Sequence, residues 1–109
     1  MQEAVFCYVT CSSREEALAI ARRLVEERLA ACGNVIPSME SVYRWEGAIH
    51  QEPEVVLILK TRPELVDRVT GRVRALHGYA CPCVAALPVI GGNPAYLDWI
   101  RAETASADD

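Results

Sequence analysis

Apolar and polar positions repeat with two different periods along the chain, and each change of period predicts a change of secondary structure. Residues 4–11 are rich in β-branched and aromatic side chains and end at two serines, which is typical of a strand. Apolar side chains over residues 15–31 recur every three or four positions, which predicts a helix. Ser13 and Glu16 have the spacing of a capping box at its start, and Gly33 is its predicted end.

The middle of the chain is predicted to form two paired strands. Residues 34–46 are extended in character, and Pro37 kinks this strand or places it at an edge, because proline has no N–H to donate. Gly47 marks a turn, after which residues 54–61 run back as a nearly continuous apolar strand.

A second helix follows. Thr61 or Arg62 is its predicted cap, and Gly78 its predicted end. One side of this helix is apolar, which predicts that it packs on the sheet. The side chains on that side are Leu65, Val69, Val73 and Leu76.

The last part of the chain contains one more strand and a short helix. The strand is predicted over residues 81–89. Asn93 followed by Pro94 has the character of an N-cap and first helical position, so a short helix is predicted around residues 96–101. Residues 105–109 are predicted to be a frayed polar tail.

This order of elements, β-α-β-β-α-β with an additional C-terminal helix, predicts an α+β fold of the ferredoxin-like type, a sandwich of helices on one antiparallel sheet. Residues 1–109 are predicted to form a single domain. The predicted strands carry apolar side chains on both faces, whereas two helices cover only one. A second copy of the chain is the simplest cover for the other face.

Composition narrows the possible partners. The net charge is −4 and the chain has no basic stretch, so nucleic acid is not expected to bind. The N-terminus lacks the features of a signal peptide, and no apolar run is long enough to cross a membrane, so the expected location is cytoplasmic. Reduced thiols are therefore expected at all five cysteines.

No catalytic motif is recognisable, and the chain is not expected to be an enzyme. Cys81 and Cys83, two apart on the predicted fourth strand, would share one face and are candidate thiolate ligands for Cu(I) or Zn(II). They are alternatively two small residues facing the core. His77 is either a further metal ligand or a cation stabilised by the end of the second helix.

Charged and polar side chains beside apolar strand positions predict a cleft between subunits. Arg44, Glu54, Lys60 and Tyr79 are expected to lie around it, together with His77. Ion pairs within an oligomer would give the same sequence pattern. Lys60 can alternatively extend its ammonium group to the edge of the sheet.

Several motifs in order resemble the CutA-type divalent-cation tolerance proteins. The similarity covers nearly the whole chain and is carried by Leu29-Ala30-Ala31-Cys32-Gly33-Asn34, Ser41-Val42-Tyr43-Arg44-Trp45-Glu46-Gly47, Leu59-Lys60-Thr61, Leu76-His77-Gly78-Tyr79, Ala86-Leu87-Pro88-Val89 and Tyr96-Leu97-Asp98-Trp99. The resemblance implies a ferredoxin-like homotrimer, similar in architecture to PII-type signalling proteins, with a role in tolerance of copper and other divalent metals.

One segment departs from the pattern of that family. Its members usually have Glu-x-Pro-Glu after the His-x-Tyr motif, whereas this chain has Ala80, Cys81, Pro82 and Cys83. Two acids are thus replaced and two thiols gained, which puts a carboxylate metal site at this point in doubt.

These observations lead to one main hypothesis and two alternatives. The main hypothesis is a homotrimeric metal-response protein without catalytic turnover and without an obligatory cofactor, which binds Cu or another divalent metal ion. The first alternative is a PII-like sensor that binds a small anionic metabolite in the cleft. The second is a purely structural, stable trimer.

Overall fold

The computed structural model describes residues 4–106 and confirms the predicted α+β class. A four-stranded antiparallel sheet with the order β2-β3-β1-β4 packs against helices. The elements are β1 (Ala4–Cys11), α1 (Arg14–Glu26), β2 (Cys32–Trp45), β3 (Ala48–Thr61), a 3-10 turn (Pro63–Leu65), α2 (Val66–Leu76), β4 (Val84–Val89) and α3 (Pro94–Glu103). Within the described residues, no helix is long and apolar enough to cross a membrane.

The core lies between the sheet and the first two helices. Alternate residues of the two central strands face it, because side chains on a strand point to opposite faces in turn. The helices contribute their apolar sides, spaced three or four residues apart. Fully buried members include Cys7, Val9, Leu57, Leu59, Leu24, Val69 and Val73.

The first helix starts as predicted but ends earlier. The Ser13 hydroxyl accepts a hydrogen bond from the Glu16 N–H at 3.1 Å, which confirms the N-cap. The helix ends at Glu26 rather than near residue 31, because Arg28 adopts a left-handed conformation with φ 61°. The Leu29 N–H then bonds back to the Leu24 carbonyl at 2.9 Å, which closes the helix as a Schellman motif does.

Gly33 therefore does not end a helix; it lies in β2. A Cβ at this position would stand 2.8 Å from Ala21 Cβ and 3.3 Å from Leu59 Cδ2. Glycine thus allows β2 to pass close to α1. The requirement for glycine comes from tertiary packing, which helical periodicity does not report.

The second and third strands form a hairpin that is longer than predicted. Glu46 and Gly47 make its turn, with φ values of 50° and 81°. The pairing shifts register between Ile36 and Met39, next to Pro37, and β2 is an edge strand as predicted. Because β1 pairs with β3 only from Val55 onward, residues 39–54 form a two-stranded ribbon, which we call the hairpin arm.

The C-terminal part differs from prediction at two points. The fourth strand starts at Val84, so Cys81 and Cys83 lie in the loop before it rather than on a strand. Asn93 caps α3 as predicted. Ala105 is buried, and its N–H donates to the Arg28 carbonyl at 2.8 Å. The prediction of a frayed tail is therefore wrong at Ala105, and residues 107–109 lie outside the described residues.

Candidate functional site

A cavity of about 670 Å³ lies between the hairpin arm, β1 and the loop before β4. We call it the hairpin cavity. The side chains around it are mainly aromatic, acidic or thiol-bearing. They are Tyr8, Thr10, Ser41, Val42, Tyr43, Trp45, Glu52, Glu54, Tyr79, Ala80, Cys81 and Cys83.

Hydrogen bonds attach the loop after α2 to the rest of the fold. The Tyr79 hydroxyl donates to Glu54 Oε2 at 2.9 Å, which ties the loop to the hairpin arm. The Gly78 N–H donates to Glu16 Oε2 at 2.9 Å, and the Tyr79 N–H donates to His77 Nδ1 at 3.0 Å. The position of the loop thus depends on α1, α2 and β3 together.

The charge of the hairpin cavity is negative. Glu52 and Glu54 line it, and no arginine or lysine is among its described lining residues. Burial raises the pKa of the Tyr79 hydroxyl, and the hydrogen bond to the Glu54 carboxylate raises it further. Burial and the charge of Glu54 also raise the pKa of the Cys83 thiol. A cavity with this field favours a cation over an anion.

Both thiols of the Cys81-Pro82-Cys83 segment are exposed. The alternative that they face the core is therefore wrong, and so is the expectation that a strand aligns them. They reach the same cavity because the loop brings them there. Together with the carboxylates of Glu52 and Glu54, they give it sulfur and oxygen donors.

The other predicted site residues are dispersed. Lys60 Nζ donates to the Tyr96 hydroxyl at 2.9 Å and lies over the rings of Phe6 and Tyr96, near the C-terminal end of β3, whereas Glu54 is in the middle of that strand. Arg44 is exposed on the hairpin arm and is not a lining residue. His77 is buried behind the loop. The structure therefore brings together Glu54, Tyr79, Cys81 and Cys83, but not Arg44 or Lys60.

Sequence reasoning missed the aromatic part of the cavity. Tyr43 and Trp45 alternate along β2 and face the same side as Glu52 on β3, given the observed pairing. The alternation 41, 43, 45 was a usable signal. This alternation indicates a shared face only when residues 41–45 are paired with β3, and the sequence did not predict a hairpin of that length.

Four of the five thiols have a predicted order of reaction with iodoacetamide, because only the thiolate is nucleophilic. Burial raises the pKa of Cys7 to about 11 and, with Glu16 and Glu54 nearby, that of Cys11 to about 12. In the folded protein at neutral pH we expect Cys81 to be alkylated first, then Cys83, with Cys7 and Cys11 protected. Pulse labelling and peptide mass spectrometry measure this order, and early labelling of Cys7 or Cys11 would contradict it.

Comparisons with known proteins agree on one family. The profile described as CutA1 divalent ion tolerance protein matches residues 5–103. The chain is 45% identical over 104 residues to the divalent-cation tolerance protein CutA of Thermus thermophilus, covering 95% of this chain and 99% of that one. It is 46% identical over 102 residues to human Protein CutA, covering 94% of this chain and 57% of the human one.

The fold comparison gives the same result. The solved structure of the divalent cation tolerance protein (Cut A1) from Thermus thermophilus superposes with a TM-score of 0.91 at 43% identity. The superposition covers 94% of this chain and 99% of the Thermus thermophilus chain. The similarity therefore extends over the hairpin arm and the loop as well as the core.

Proposed function

The chain belongs to the CutA1 divalent ion tolerance protein family, and from this premise we propose that it binds a soft metal ion, copper foremost, in the hairpin cavity. One observation carries the proposal. The cavity brings the thiols of Cys81 and Cys83 to the same space as the carboxylates of Glu52 and Glu54, without a cationic side chain among its described lining residues.

The chemistry of these donors favours a soft or borderline metal ion. Thiolates are soft ligands and select Cu(I) or Zn(II) over hard ions such as Mg²⁺. A bound cation also lowers the pKa of a coordinating thiol, which offsets the effect of burial and Glu54 on Cys83. The carboxylates add negative charge at the rim, which attracts the ion.

The anionic-metabolite alternative has weaker support. A site for an anion needs cationic side chains or backbone N–H groups directed into it. Arg44 does not line the cavity, and Lys60 is engaged with Tyr96. We therefore prefer the cation.

The proposal includes how the protein acts. It sequesters or reports metal by binding, without catalytic turnover, as a homotrimer in the cytoplasm, where thiols stay reduced. The support for self-association is the hairpin arm, whose exposed apolar side chains include Val42 and Ile49.

Titration with Cu(I) under reducing conditions, against a competing chelator, tests the cavity site. The wild-type protein should bind about one equivalent per chain tightly, and the Cys81→Ser, Cys83→Ser double variant should lose roughly 100-fold or more in affinity, because both sulfur donors are gone. Cys32→Ser is the matched control, since Cys32 lies at the start of β2 and does not line the cavity. Unchanged affinity and stoichiometry in the double variant would refute the proposed site.

A further inference from the structure

Three potential metal ligands from distant parts of the chain meet behind the hairpin cavity. They are the Cys11 thiol at the end of β1, the Glu16 carboxylate in α1 and the His77 imidazole after α2. One ligand atom from each lies within 4.8 Å of the other two. Glu16 Oε2 and His77 Nδ1 are 3.9 Å apart.

The hydrogen bonds of His77 orient it as a ligand. The Tyr79 N–H donates to Nδ1, so this nitrogen carries a lone pair, and the neutral ring has its proton on Nε2. Nε2 is 2.7 Å from the Thr10 carbonyl and donates to it. Metal-binding histidines usually donate their other ring N–H to a carbonyl or carboxylate in this way, which fixes the tautomer and the ring orientation. Nδ1 is also the ring nitrogen that lies 3.9 Å from Glu16 Oε2.

Glu16 is also held in place. Its Oε1 accepts hydrogen bonds from the Ser12 N–H and hydroxyl, and its Oε2 accepts one from the Gly78 N–H. Each of these carboxylate oxygens has further acceptor capacity.

We propose that Cys11, Glu16 and His77 form a second, buried metal site that takes Zn²⁺ and is separate from the donors of the hairpin cavity. One sulfur, one nitrogen and one oxygen donor, with a fourth position left for water, is a coordination set typical of zinc. In a tetrahedral zinc site such ligand atoms are separated by about 3.4–3.6 Å, so the three groups have to approach each other by roughly 1 Å.

Zinc binding would replace the thiol proton of Cys11 and one hydrogen bond of His77. The Cys11 S–H bond breaks, its proton leaves to solvent, and a sulfur–zinc bond forms without oxidation or reduction. At His77 the ion takes the lone pair that accepts the Tyr79 N–H, so that hydrogen bond is lost. Tyr79 belongs to the loop that lines the hairpin cavity, and zinc at the buried site thereby releases one attachment of that loop.

Titration with Co²⁺ as a spectroscopic substitute for Zn²⁺ tests this site. The experiment uses the Cys81→Ser, Cys83→Ser background, which removes the thiols of the cavity. We expect a thiolate-to-cobalt charge-transfer band that saturates at about one equivalent per chain and disappears when Zn²⁺ is added. Adding Cys11→Ala should abolish the band, whereas adding Cys7→Ala, the other buried cysteine of β1, should leave it.

Absence of the band in the Cys81→Ser, Cys83→Ser background, or its persistence after Cys11→Ala, would overturn the proposal. If Cys11→Ala does not fold, NMR of the Cys81→Ser, Cys83→Ser variant provides the test, because Zn²⁺ should shift the His77 Nδ1 and Tyr79 amide resonances together although the cavity thiols are absent. Unchanged resonances at saturating Zn²⁺ would overturn it equally. The Cu(I) titration above has a separate outcome, so either site can fail without the other.

Discussion

Gly33→Ala is expected to lower the free energy of unfolding by about 2 kcal/mol, the range for overpacking a close-packed interior. The new Cβ would stand 2.8 Å from Ala21 Cβ, and the backbone of α1 holds that atom in place. The next obstacle is Leu59 Cδ2 at 3.3 Å, which belongs to a fully buried side chain. Guanidinium denaturation measures the change, and the protein concentration is held fixed because the stability of the proposed oligomer would depend on it.

Two further variants separate this clash from a general effect of alanine. Gly71→Ala is the matched control, since it lies in α2 with nothing within 4 Å of its added Cβ, and it should stabilise by about 0.4–1 kcal/mol. Ala21→Gly removes the obstructing Cβ, so the double variant should be clearly more stable than the two single losses predict. Strict additivity of Ala21→Gly and Gly33→Ala would show that the contact is not the cause.

Local signals in the sequence predicted the elements whose ends are set locally. Ser13 and Asn93 are N-caps because each side chain bonds to an N–H two or three residues away, and that spacing is visible in the sequence. The alternation in β1 and β3 was similarly readable. The fold class followed from the order of these elements.

Elements whose ends depend on distant contacts were predicted less well. Apolar spacing continues from α1 through Leu29 to Ala31, yet the helix stops at Glu26 because Arg28 turns the chain out of the helix and toward β2, where Gly33 packs on Ala21. Residues 48–53 include Gln51, Glu52 and Pro53 and show no strand pattern in the sequence. They nevertheless form part of a strand, because they pair with β2.

The candidate sites show the same limit. Cys81 and Cys83 are recognisable in the sequence because they depart from the family pattern. The sequence predicts that they lie on a strand, whereas the structure places them in the loop before β4. The cluster of Cys11, Glu16 and His77 joins residues more than sixty positions apart, and no sequence spacing reports it.

If the chain forms the proposed homotrimer through the hairpin arm, the Val42→Asp, Ile49→Asp double variant is expected to be monomeric. These side chains are 68% and 67% exposed on the hairpin arm, which has no third strand beside it in the chain. An isolated two-stranded ribbon is at best marginally stable in water, so the arm is expected to pack against another surface, and a second copy of the chain would supply one. Each aspartate would bury an unpaired charge in that contact. Sedimentation velocity at micromolar concentration measures the mass.

Leu18→Asp is the matched control, because Leu18 is an apolar side chain 43% exposed on α1, away from the hairpin arm. It should leave the mass unchanged.

Val56→Asp cannot serve as a test of assembly. Val56 is only 6% exposed within the single chain, so a charge there would unfold the subunit whether or not it assembles. Circular dichroism of the monomeric variant should retain the signal of the sheet and helices, since the core does not include the arm. A wild-type protein that sediments as a monomer, or a double variant that remains trimeric, would contradict assembly through the hairpin arm.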